Sequence, residues 1–273
     1  MSGTLYVTGT PIGNLSDFSP RAVETLKAVD FIAAEDTRVT VKLLNHFDIK
    51  RPMVSYHEHN LRERGEAIIE RILNGENCAV VSDAGMPCVS DPGEDLVRLA
   101  AEKGVPTVVI PGPSAAVSAL CISGLSTSRF SFEGFLSTNK RNRQLHLESL
   151  KNDTHTLIFY EAPHKLLTTL RDMERVLGDR RISIGRELTK IHEEVIRTTL
   201  REAIAFYEEK TPKGEFVLVL EGATPETEPQ ISLEGAIEEA KQLVAEGERL
   251  TEAAKKISAQ YGYKKSEIYN GLI

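Results

Sequence analysis

A short apolar run that stops in a rigid, acidic loop constrains the fold of this chain more than any other feature. Cys78–Val81 (CAVV) has the composition of a buried parallel strand, and Ser82–Gly93 (SDAGMPCVSDPG) follows it directly. The loop holds two aspartates, two glycines and two prolines, whereas a simple connection needs a single turn. Ligands of open α/β sheets bind beyond the carboxyl ends of the strands. The sequence therefore predicts a ligand site at this loop.

The first half of the chain alternates apolar strands with helices. The predicted strands are Leu5–Thr8, Phe31–Ala34, Ala79–Val81 and Thr107–Ile110. The predicted helices start at Ser19-Pro20, cover Thr40–Phe47, Leu61–Leu73 and Asp95–Glu102, and run from Pro113 to about Ile122. This alternation predicts right-handed βαβ units and a mainly parallel sheet.

The second half has more strands and fewer helices between them. Its predicted strands are Phe130–Gly134, Thr156–Glu161, Ile182–Leu188, Val195–Leu200 and Phe216–Glu221, and its two predicted helices cover residues 141–151 and 163–177. Consecutive strands with short links indicate a mixed or antiparallel sheet. We place a boundary near Gly124–Arg129, a small and polar stretch, so the two α/β domains are expected at 1–124 and 125–224.

A helical tail is predicted after the linker Ala223–Ser232. Its helices are Leu233–Ala245, Leu250–Gln260 and Lys264–Leu272, which together form the expected region 233–273. Gly262 marks a turn between the last two helices, and this pair resembles half of a helix-turn-helix. A capping helical hairpin explains the same pattern, so RNA binding by the tail and a structural role both stay open.

Composition excludes several classes of protein. The net charge of −7 over 273 residues gives no overall attraction to nucleic acid or to an anionic membrane. No run of 18 apolar residues and no secretory signal is found. The three cysteines lack a CxxC spacing, which argues against a disulfide framework and a zinc site. We expect a cytoplasmic protein with reduced thiols.

Familiar nucleotide and hydrolase motifs are missing. The chain has no GxxxxGK[ST], no GxGxxG after its first strand and no GxSxG. Its strand-end loops instead offer glycines, backbone groups and carboxylates, with Arg38 as almost their only cation. Such an edge suits a cationic or zwitterionic ligand with a nucleoside part, for example S-adenosylmethionine, better than a phosphate-bearing one.

Eight sequence blocks in fixed order carry a family resemblance. They are TGTPIGN (8–14), AEDTR (34–38), YHEHN (56–60), SDAGMPCVSDPG (82–93), PGPSA (111–115), FYEAPH (159–164), RELTKIHEE (186–194) and KGEFVLVLEG (213–222). Together they resemble the tetrapyrrole-methylase-like superfamily, and within it the ribosomal RNA small subunit (cytidine-2'-O)-methyltransferase I family. Cys88 departs from the aliphatic residue that is usual at its position, and we expect little effect from it.

The resemblance implies a fold, a reaction and partners. The fold is that of a class III methyltransferase, an α/β protein whose two domains hold S-adenosylmethionine in the cleft between them, here with the small helical tail added. The reaction is methyl transfer to the ribose 2'-hydroxyl of a cytidine in 16S ribosomal RNA. The implied partners are this RNA or the 30S subunit, and a second copy of the chain in a homodimer.

The resemblance also assigns residues to the cofactor. They are Pro11, Gly13, Asp83, Gly85, Met86, Ser114, Ala115, Tyr160, Glu161, Ala162, Gly214 and Glu215. Each has a simpler alternative, such as a tight turn at Pro11, helix capping by Ser114 or core packing by Tyr160. For the helix that follows Pro92, we expect Asp91 rather than Asp83 to be the cap.

A ribose hydroxyl is a poor nucleophile and needs orientation and a base. Candidate groups are Glu35, Asp36, His57, Glu161, His164, Glu187, Lys190 and Glu193. We favour Arg186, Glu187 and Lys190 as the catalytic group, because they end a strand and carry both signs of charge. Lys190 could hold an RNA phosphate, or act as the base if desolvation lowers its pKa. A surface ion pair is the alternative.

Two further patterns concern metals and RNA. His57 and His59 would share one face of a strand, but no third ligand is suitably spaced, so we expect no metal. Asn139–Arg143 (NKRNR) contains three cations, and we expect RNA binding by Lys140, Arg141 and Arg143. A solvated charged face is the alternative there.

Two other functions stay open at this point. One is a methyltransferase of the same fold that acts on a tetrapyrrole precursor or another small molecule. The other is a non-catalytic ribosome-binding protein that retains the fold. The cations at 140–143 and in the tail favour RNA over a small molecule, and the Asp83 loop with the Glu187 segment favours catalysis over binding alone.

Overall fold

The apolar strands of the first half form one parallel sheet in the computed structural model, which describes residues 2–57, 61–224 and 231–273. The strands are β1 (Leu5–Thr8), β2 (Phe31–Ala34), β3 (Met53–Ser55), β4 (Cys78–Val81) and β5 (Thr107–Ile110). Their order across the sheet is β3-β2-β4-β1-β5, and every pairing is parallel. The predicted parallel sheet is confirmed, with β3 as an additional edge strand.

Helices cover both faces of this sheet, which is why its strands are continuously apolar. These helices are α1 (Pro20–Ala28), α2 (Thr37–His46), α3 (Leu61–Leu73) and α4 (Glu94–Glu102), and a short 3₁₀ turn covers Leu15–Asp17. The last helix of the first half, α5 (Ala115–Ser123), packs on the second sheet. Successive strand residues alternate between the faces: Phe31 and Ala33 belong to one buried cluster, whereas Ile32 and Ala34 belong to another.

The second sheet is mixed, as predicted. It contains β6 (Phe130–Phe135), β7 (Thr156–Glu161), β8 (Arg181–Arg186), β9 (Glu194–Thr199) and β10 (Phe216–Leu220) in the order β6-β7-β10-β8-β9. Only the β6–β7 pair is parallel within the described sheet. Its helices are α6 (Lys140–Ser149), α7 (Leu166–Leu177) and α8 (Leu200–Glu209). The sequence reading missed α8, which starts where the Thr199 hydroxyl accepts the Glu202 N–H.

Helix α5 connects the two sheets within the compact unit Met1–Ala223. It follows β5 of the first sheet, yet Ala116, Ala119 and Leu120 pack in one cluster with Ile158 and Val219 of the second sheet. The chain thus leaves one sheet and covers a face of the other before β6 begins. The division of this unit at residue 124 stays a prediction.

The second compact unit, Thr224–Ile273, contains the predicted tail helices. They are α9 (Leu233–Ala245), α10 (Leu250–Tyr261) and α11 (Lys265–Leu272), and they share a small buried cluster that includes Ala240, Ile257 and Ile268. Gly262 ends α10 in the left-handed conformation, at φ 74°. No helix within the described residues of either unit is long and apolar enough to cross a membrane.

Two backbone segments approach closely where β1 and β5 end. A Cβ built on Gly112 would lie 2.8 Å from the Gly9 Cα, and one built on Gly9 would lie 2.7 Å from the Gly112 Cα. The Gly9 N–H donates to the Ile110 carbonyl at 3.1 Å, which holds the two loops in register. At position 112 only glycine fits, because the three nearest atoms to an added Cβ all belong to the Gly9 backbone and not to a movable side chain.

We therefore expect Gly112→Ala to destabilise the protein by about 2 kcal/mol or more, as overpacking does elsewhere. Gly65→Ala is the matched control, since Gly65 lies inside α3 and its added Cβ would have no neighbour nearer than 3.7 Å. That variant should gain about 0.5–1 kcal/mol from helix propensity. Urea unfolding measures both, and equal midpoints for the two variants would contradict the close approach.

Candidate active site

A cleft of about 370 Å³ opens between the strand-end loops of the first sheet and the second sheet. From the first sheet it is lined by Ile12, Ala84, Gly85, Met86, Val89, Ser90, Asp91, Ser114 and Ala115, and from the second by Phe135, Tyr160, Glu161, Ala162, Pro163, Leu188, Glu215, Phe216 and Val217. Most of the residues that the resemblance assigned to the cofactor are thus brought together. Pro11, Gly13, Asp83 and Gly214 are sequence neighbours of lining residues and do not line it themselves.

The first wall is held by a two-residue bridge between loops. Thr10 donates its N–H to the Gly85 carbonyl at 2.8 Å, and Gly85 donates to the Thr10 carbonyl at 3.1 Å. Gly85 has a φ of +82°, and its missing side chain leaves room for Ile12, whose Cγ2 would lie 3.3 Å from a Cβ. The bridge gives the cleft a backbone-lined side that a ligand can approach closely.

Tyr160 joins the second sheet to helix α5. Its hydroxyl oxygen accepts the Ala116 N–H at 3.2 Å, while Ser114 caps the same helix by accepting the Val117 N–H. Phe132 and Phe135 contact the Tyr160 ring edge-on, with centroids 4.9 and 5.5 Å away. Tyr160 and Ser114 thus line the cleft and also have structural roles, in core packing and in helix capping, respectively. Burial raises the pKa of Tyr160.

Glu187, Lys190 and Glu215 form an ion cluster at the rim of the cleft. Lys190 Nζ lies 2.9 Å from Glu187 Oε1 and 2.9 Å from Glu215 Oε2. The Glu215 N–H also donates to Glu187 Oε1 at 2.9 Å. Gly214 and Gly13 make room for the cluster, since Cβ atoms there would lie 2.5 Å from Glu187 Cγ and Lys190 Cγ, respectively.

The backbone of this segment is strained. Glu187 and Thr189 have φ angles of 50° and 66°, in the left-handed region that side chains rarely adopt. Such strain persists where the surroundings hold it, and functional loops are frequent examples. Arg186 pairs separately with Glu194, at 2.9 Å between Nε and Oε2.

The electrostatics of the rim favour a charged lysine. Partial burial lowers the pKa of Lys190, but its hydrogen bonds to Glu215 and Glu187 outweigh this effect and hold the pKa above its usual value. Burial raises the pKa of Glu187, but the Glu215 N–H and Lys190 lower it further than burial raises it. The condition under which Lys190 could act as a base is therefore not met, and an anion-holding role remains.

Carboxylates gather where β2 and β4 end. Asp83 accepts the Asp36 N–H at 3.1 Å, and the Asp83 N–H donates to Glu35 at 3.3 Å. Burial is the main cause that raises the pKa of Asp83. Asp36 instead caps α2 and binds Arg38, whose hydrogen bonds lower the pKa of Asp36 to about 2.

Asp91 is the functional candidate that sequence reasoning missed. The expectation that it caps α4 is wrong, because the cap is Gly93 and no side chain hydrogen-bonds there. Asp91 lines the cleft instead, and burial, followed by the charge of Glu35, raises its pKa to about 6. Its sequence context, an aspartate before proline, is typical of a helix start and gave no signal of this orientation.

The remaining base candidates have other partners or positions. Glu161 is buried and accepts the Ala162 N–H at 2.8 Å and the Thr169 hydroxyl at 2.5 Å, so it holds the start of α7. Glu193 accepts the Thr189 N–H at 2.5 Å. His164 is exposed beside the cleft. His59 lies outside the described residues, and within them no group of three potential metal ligands is present.

Comparison with known proteins identifies the family. The model of the tetrapyrrole (corrin/porphyrin) methylases matches residues 4–204. A Synechocystis protein called ribosomal RNA small subunit methyltransferase I is 49% identical over 268 residues, which cover 98% of this chain and 96% of that protein. The protein of the same name from Halalkalibacterium halodurans is 49% identical over 271 residues, 98% and 94% of the two chains. The chain belongs to the ribosomal RNA small subunit methyltransferase I family.

Solved structures agree on the fold of this family. The methyltransferase CobJ has a TM-score of 0.61 at 19% identity, covering 84% of this chain and 98% of its own. At that identity the likeness concerns the fold alone. The resemblance read from the eight blocks and the class III methyltransferase fold are both confirmed.

The cationic segment at the start of α6 divides into two environments. Lys140 and Arg141 are exposed, as an RNA-binding role requires. Arg143 is not on that surface: its side chain is 11% exposed, and its Nε lies 2.8 Å from Asp172 Oδ2. Its Nη1 also donates to the Ser137 carbonyl at 3.0 Å. Arg143 therefore links α6 to α7, and the expected RNA contact by Arg143 has no support in this geometry.

We expect Arg143→Ala to lower the free energy of unfolding by about 3 kcal/mol, because it leaves one partner of a buried ion pair without its counter-charge. Arg175→Ala removes the other partner of Asp172, but the Arg175 side chain is 49% exposed. The control should therefore lose less than about 1 kcal/mol. Chemical denaturation compares the two, and an unchanged stability of the Arg143 variant would contradict a structural role.

Proposed function

We propose that this protein transfers a methyl group from S-adenosylmethionine to the ribose 2'-hydroxyl of a cytidine in small-subunit ribosomal RNA. The observation that supports it most directly is the cleft between the two sheets, in a chain that is half identical to proteins called ribosomal RNA small subunit methyltransferase I. We further propose, from the family resemblance, that it acts in the cytoplasm as a homodimer.

The residues that line the cleft fit S-adenosylmethionine. Asp91, Glu161 and Glu215 contribute carboxyl groups, whereas the described lining residues include no lysine or arginine. Such a cleft favours a cationic sulfonium and ammonium. Ala84 and Ala115 line the cleft with short side chains, so a ligand can approach their backbone, and Phe135, Tyr160 and Val217 give an apolar surface for a purine. The bound molecule would supply an electrophilic methyl group, and the protein would orient the acceptor and receive its proton.

Lys190 fits the role of holding the RNA backbone. It is 30% exposed at the rim, it stays protonated, and Glu187 and Glu215 fix its position. An ammonium held this way can bind a phosphate beside the acceptor ribose. Glu187 acts through Lys190 and through the Glu215 N–H, and Arg186 anchors the strand end through Glu194.

One experiment tests the function as a whole. The protein is incubated with methyl-labelled S-adenosylmethionine and either undermethylated 30S subunits or deproteinised 16S RNA, and the labelled nucleotide is mapped. We expect label on the 2'-oxygen of one cytidine. Label on a base, or transfer only to a small-molecule acceptor such as a tetrapyrrole precursor, would overturn the proposal. Cofactor binding with no transfer to any of these would support a non-catalytic protein instead.

We expect Glu187→Ala and Lys190→Ala each to reduce methyl transfer about 10- to 100-fold, the range for losing a charged hydrogen bond. Binding of S-adenosylmethionine, measured by calorimetry, should change little, because neither side chain lines the cleft. Lys27→Ala, at an exposed position of α1, controls for the loss of one cation. Normal turnover in both rim variants would refute their role.

We expect Lys140→Ala/Arg141→Ala to weaken RNA binding and to flatten its salt dependence. Each lost phosphate contact reduces the slope of log affinity against log salt by about 0.7–0.9. Leaving Arg143 in place keeps the fold intact, so the measurement reports the surface alone. If the double variant binds RNA as tightly as the wild type at every salt concentration, Lys140 and Arg141 do not contact RNA and form a solvated charged surface.

A further inference from the structure

Asp91 has a constrained position inside the cleft. It lies in a loop where Cys88 and Ser90 have φ angles of 73° and 63°, and Gly93 has a φ of 135°. Gly93 is required there, because a Cβ would lie 2.7 Å from Cys88 Sγ. Two strained residues and a forced glycine thus hold the loop in one shape. The consequence of that shape is that the Asp91 side chain lines the cleft.

No structural task accounts for this carboxyl group. It caps no helix, and within the described residues it forms no ion pair with a lysine, arginine or histidine. The Ser82 hydroxyl lowers the pKa of Asp91, but in the structure that hydroxyl donates to the Ala84 carbonyl at 3.4 Å. A half-buried carboxylate without a cation is costly, and such groups cluster at functional sites.

We propose that Asp91 is the general base of the methyl transfer, an inference that rests on the proposed function. The hydroxyl oxygen of the acceptor forms a bond to the methyl carbon while the carbon–sulfur bond breaks and sulfur keeps its electron pair. The hydroxyl proton passes to a carboxylate oxygen of Asp91. The positive charge of the sulfonium and the negative charge of the carboxylate are both removed, so charge balances without a further reactant.

The other candidates are less suited to receive the proton. Lys190 is held as an ammonium and has no lone pair to offer. Glu187 Oε1 already accepts two hydrogen bonds, and Glu161 accepts two others while buried at the start of α7. Asp36 is bound by Arg38, which makes its carboxylate a weak base. Asp91 is both within the cleft and unpaired by a cation.

The surroundings of Asp91 tune its basicity. Burial and the charges of Glu35 and Asp83 raise its pKa to about 6, while the nearby Ser82 hydroxyl lowers it. Tyr160 from the second sheet and Cys88 from the same loop are the other titratable groups that sense its charge, and both have raised pKa values. At pH 7 the carboxylate is mostly ionised and yet more basic than an ordinary aspartate, as a general base should be.

The decisive experiment combines three variants with pH profiles of single-turnover methyl transfer. Asp91→Asn should reduce the rate about 100-fold or more, which is the usual contribution of a general base. Calorimetry should show that this variant still binds S-adenosylmethionine. Wild type should show a rate that falls below a pH of about 6 as Asp91 takes up a proton. Asp95→Asn, a carboxylate four residues on that pairs with Arg98, is the matched control.

Substituting two neighbours of Asp91 should shift, in opposite directions, the pH below which the rate falls. Glu35→Gln removes a repelling charge and should shift the fall in rate to lower pH, whereas Ser82→Ala removes the hydroxyl that lowers the pKa of Asp91 and should shift the fall to higher pH. Carbon-13 NMR of labelled aspartates in the cofactor-free protein gives a second readout. It should find one carboxyl that titrates near pH 6, that is absent in Asp91→Asn, and that shifts in the same two directions.

The outcomes separate this inference from the function on which it rests. Active wild type together with an Asp91→Asn rate within about threefold of it overturns the inference alone. A pH profile that neither Glu35→Gln nor Ser82→Ala shifts also overturns the inference alone. Wild type that methylates no ribosomal RNA overturns the proposed function and the inference with it.

Discussion

The site depends on one helix that belongs to the first sheet by sequence and to the second by packing. Helix α5 follows β5, but Ala119 and Leu120 are buried against Ile158 and Val219 of the second sheet. Its first turn donates the Ala116 N–H to the Tyr160 hydroxyl, which fixes the helix start at the end of β7. The strand-end loops of the first sheet are thereby held facing the second sheet. Without this packing neither wall alone would enclose a cleft.

Close backbone contacts then bring the individual loops together. The Gly9–Gly112 approach joins the loops after β1 and β5, and the Thr10–Gly85 bridge joins those after β1 and β4. Gly13, in the loop after β1, approaches the side chain of Lys190, which lies in the loop between β8 and β9 of the second sheet. Because these contacts are made by backbone or by missing side chains, the cleft is shaped before any ligand binds, which reduces the ordering that binding requires.

The sequence predicts what depends on local patterns and misses what depends on long-range contacts. The strands and most helices follow from apolar runs and caps, and the eight blocks identify the family. Strand β3 is only three half-buried residues long and has no clear local signal. Helix α8 has one that the strand-like segment before it obscured, because Thr199 and Glu202 have the spacing of a helix cap and Leu200, Ala203 and Tyr207 follow at helical spacing. Arg143 has its partner 29 positions away, at Asp172, and nothing in NKRNR indicates this pair. The orientation of Asp91 depends on positive φ angles at Cys88 and Ser90. These angles cannot be predicted from sequence, because residues other than glycine rarely adopt them.

The distribution of charge suits both ligands of the proposed function, which have opposite electrostatic requirements. A cationic methyl donor is repelled by lysine, whereas an RNA backbone requires it. Here Lys190 contacts two carboxylates at 2.9 Å, and one of them, Glu215, also lines the cleft. Two carboxylates and one ammonium give the cluster a net negative charge, of which Glu215 faces the cleft, while the partly exposed ammonium remains accessible at the rim. Asp91 adds a further negative group on the opposite wall, so the interior favours a sulfonium and the loss of a proton together. In the proposed function, the two carboxylates would shield the sulfonium from the Lys190 ammonium while that ammonium binds a phosphate.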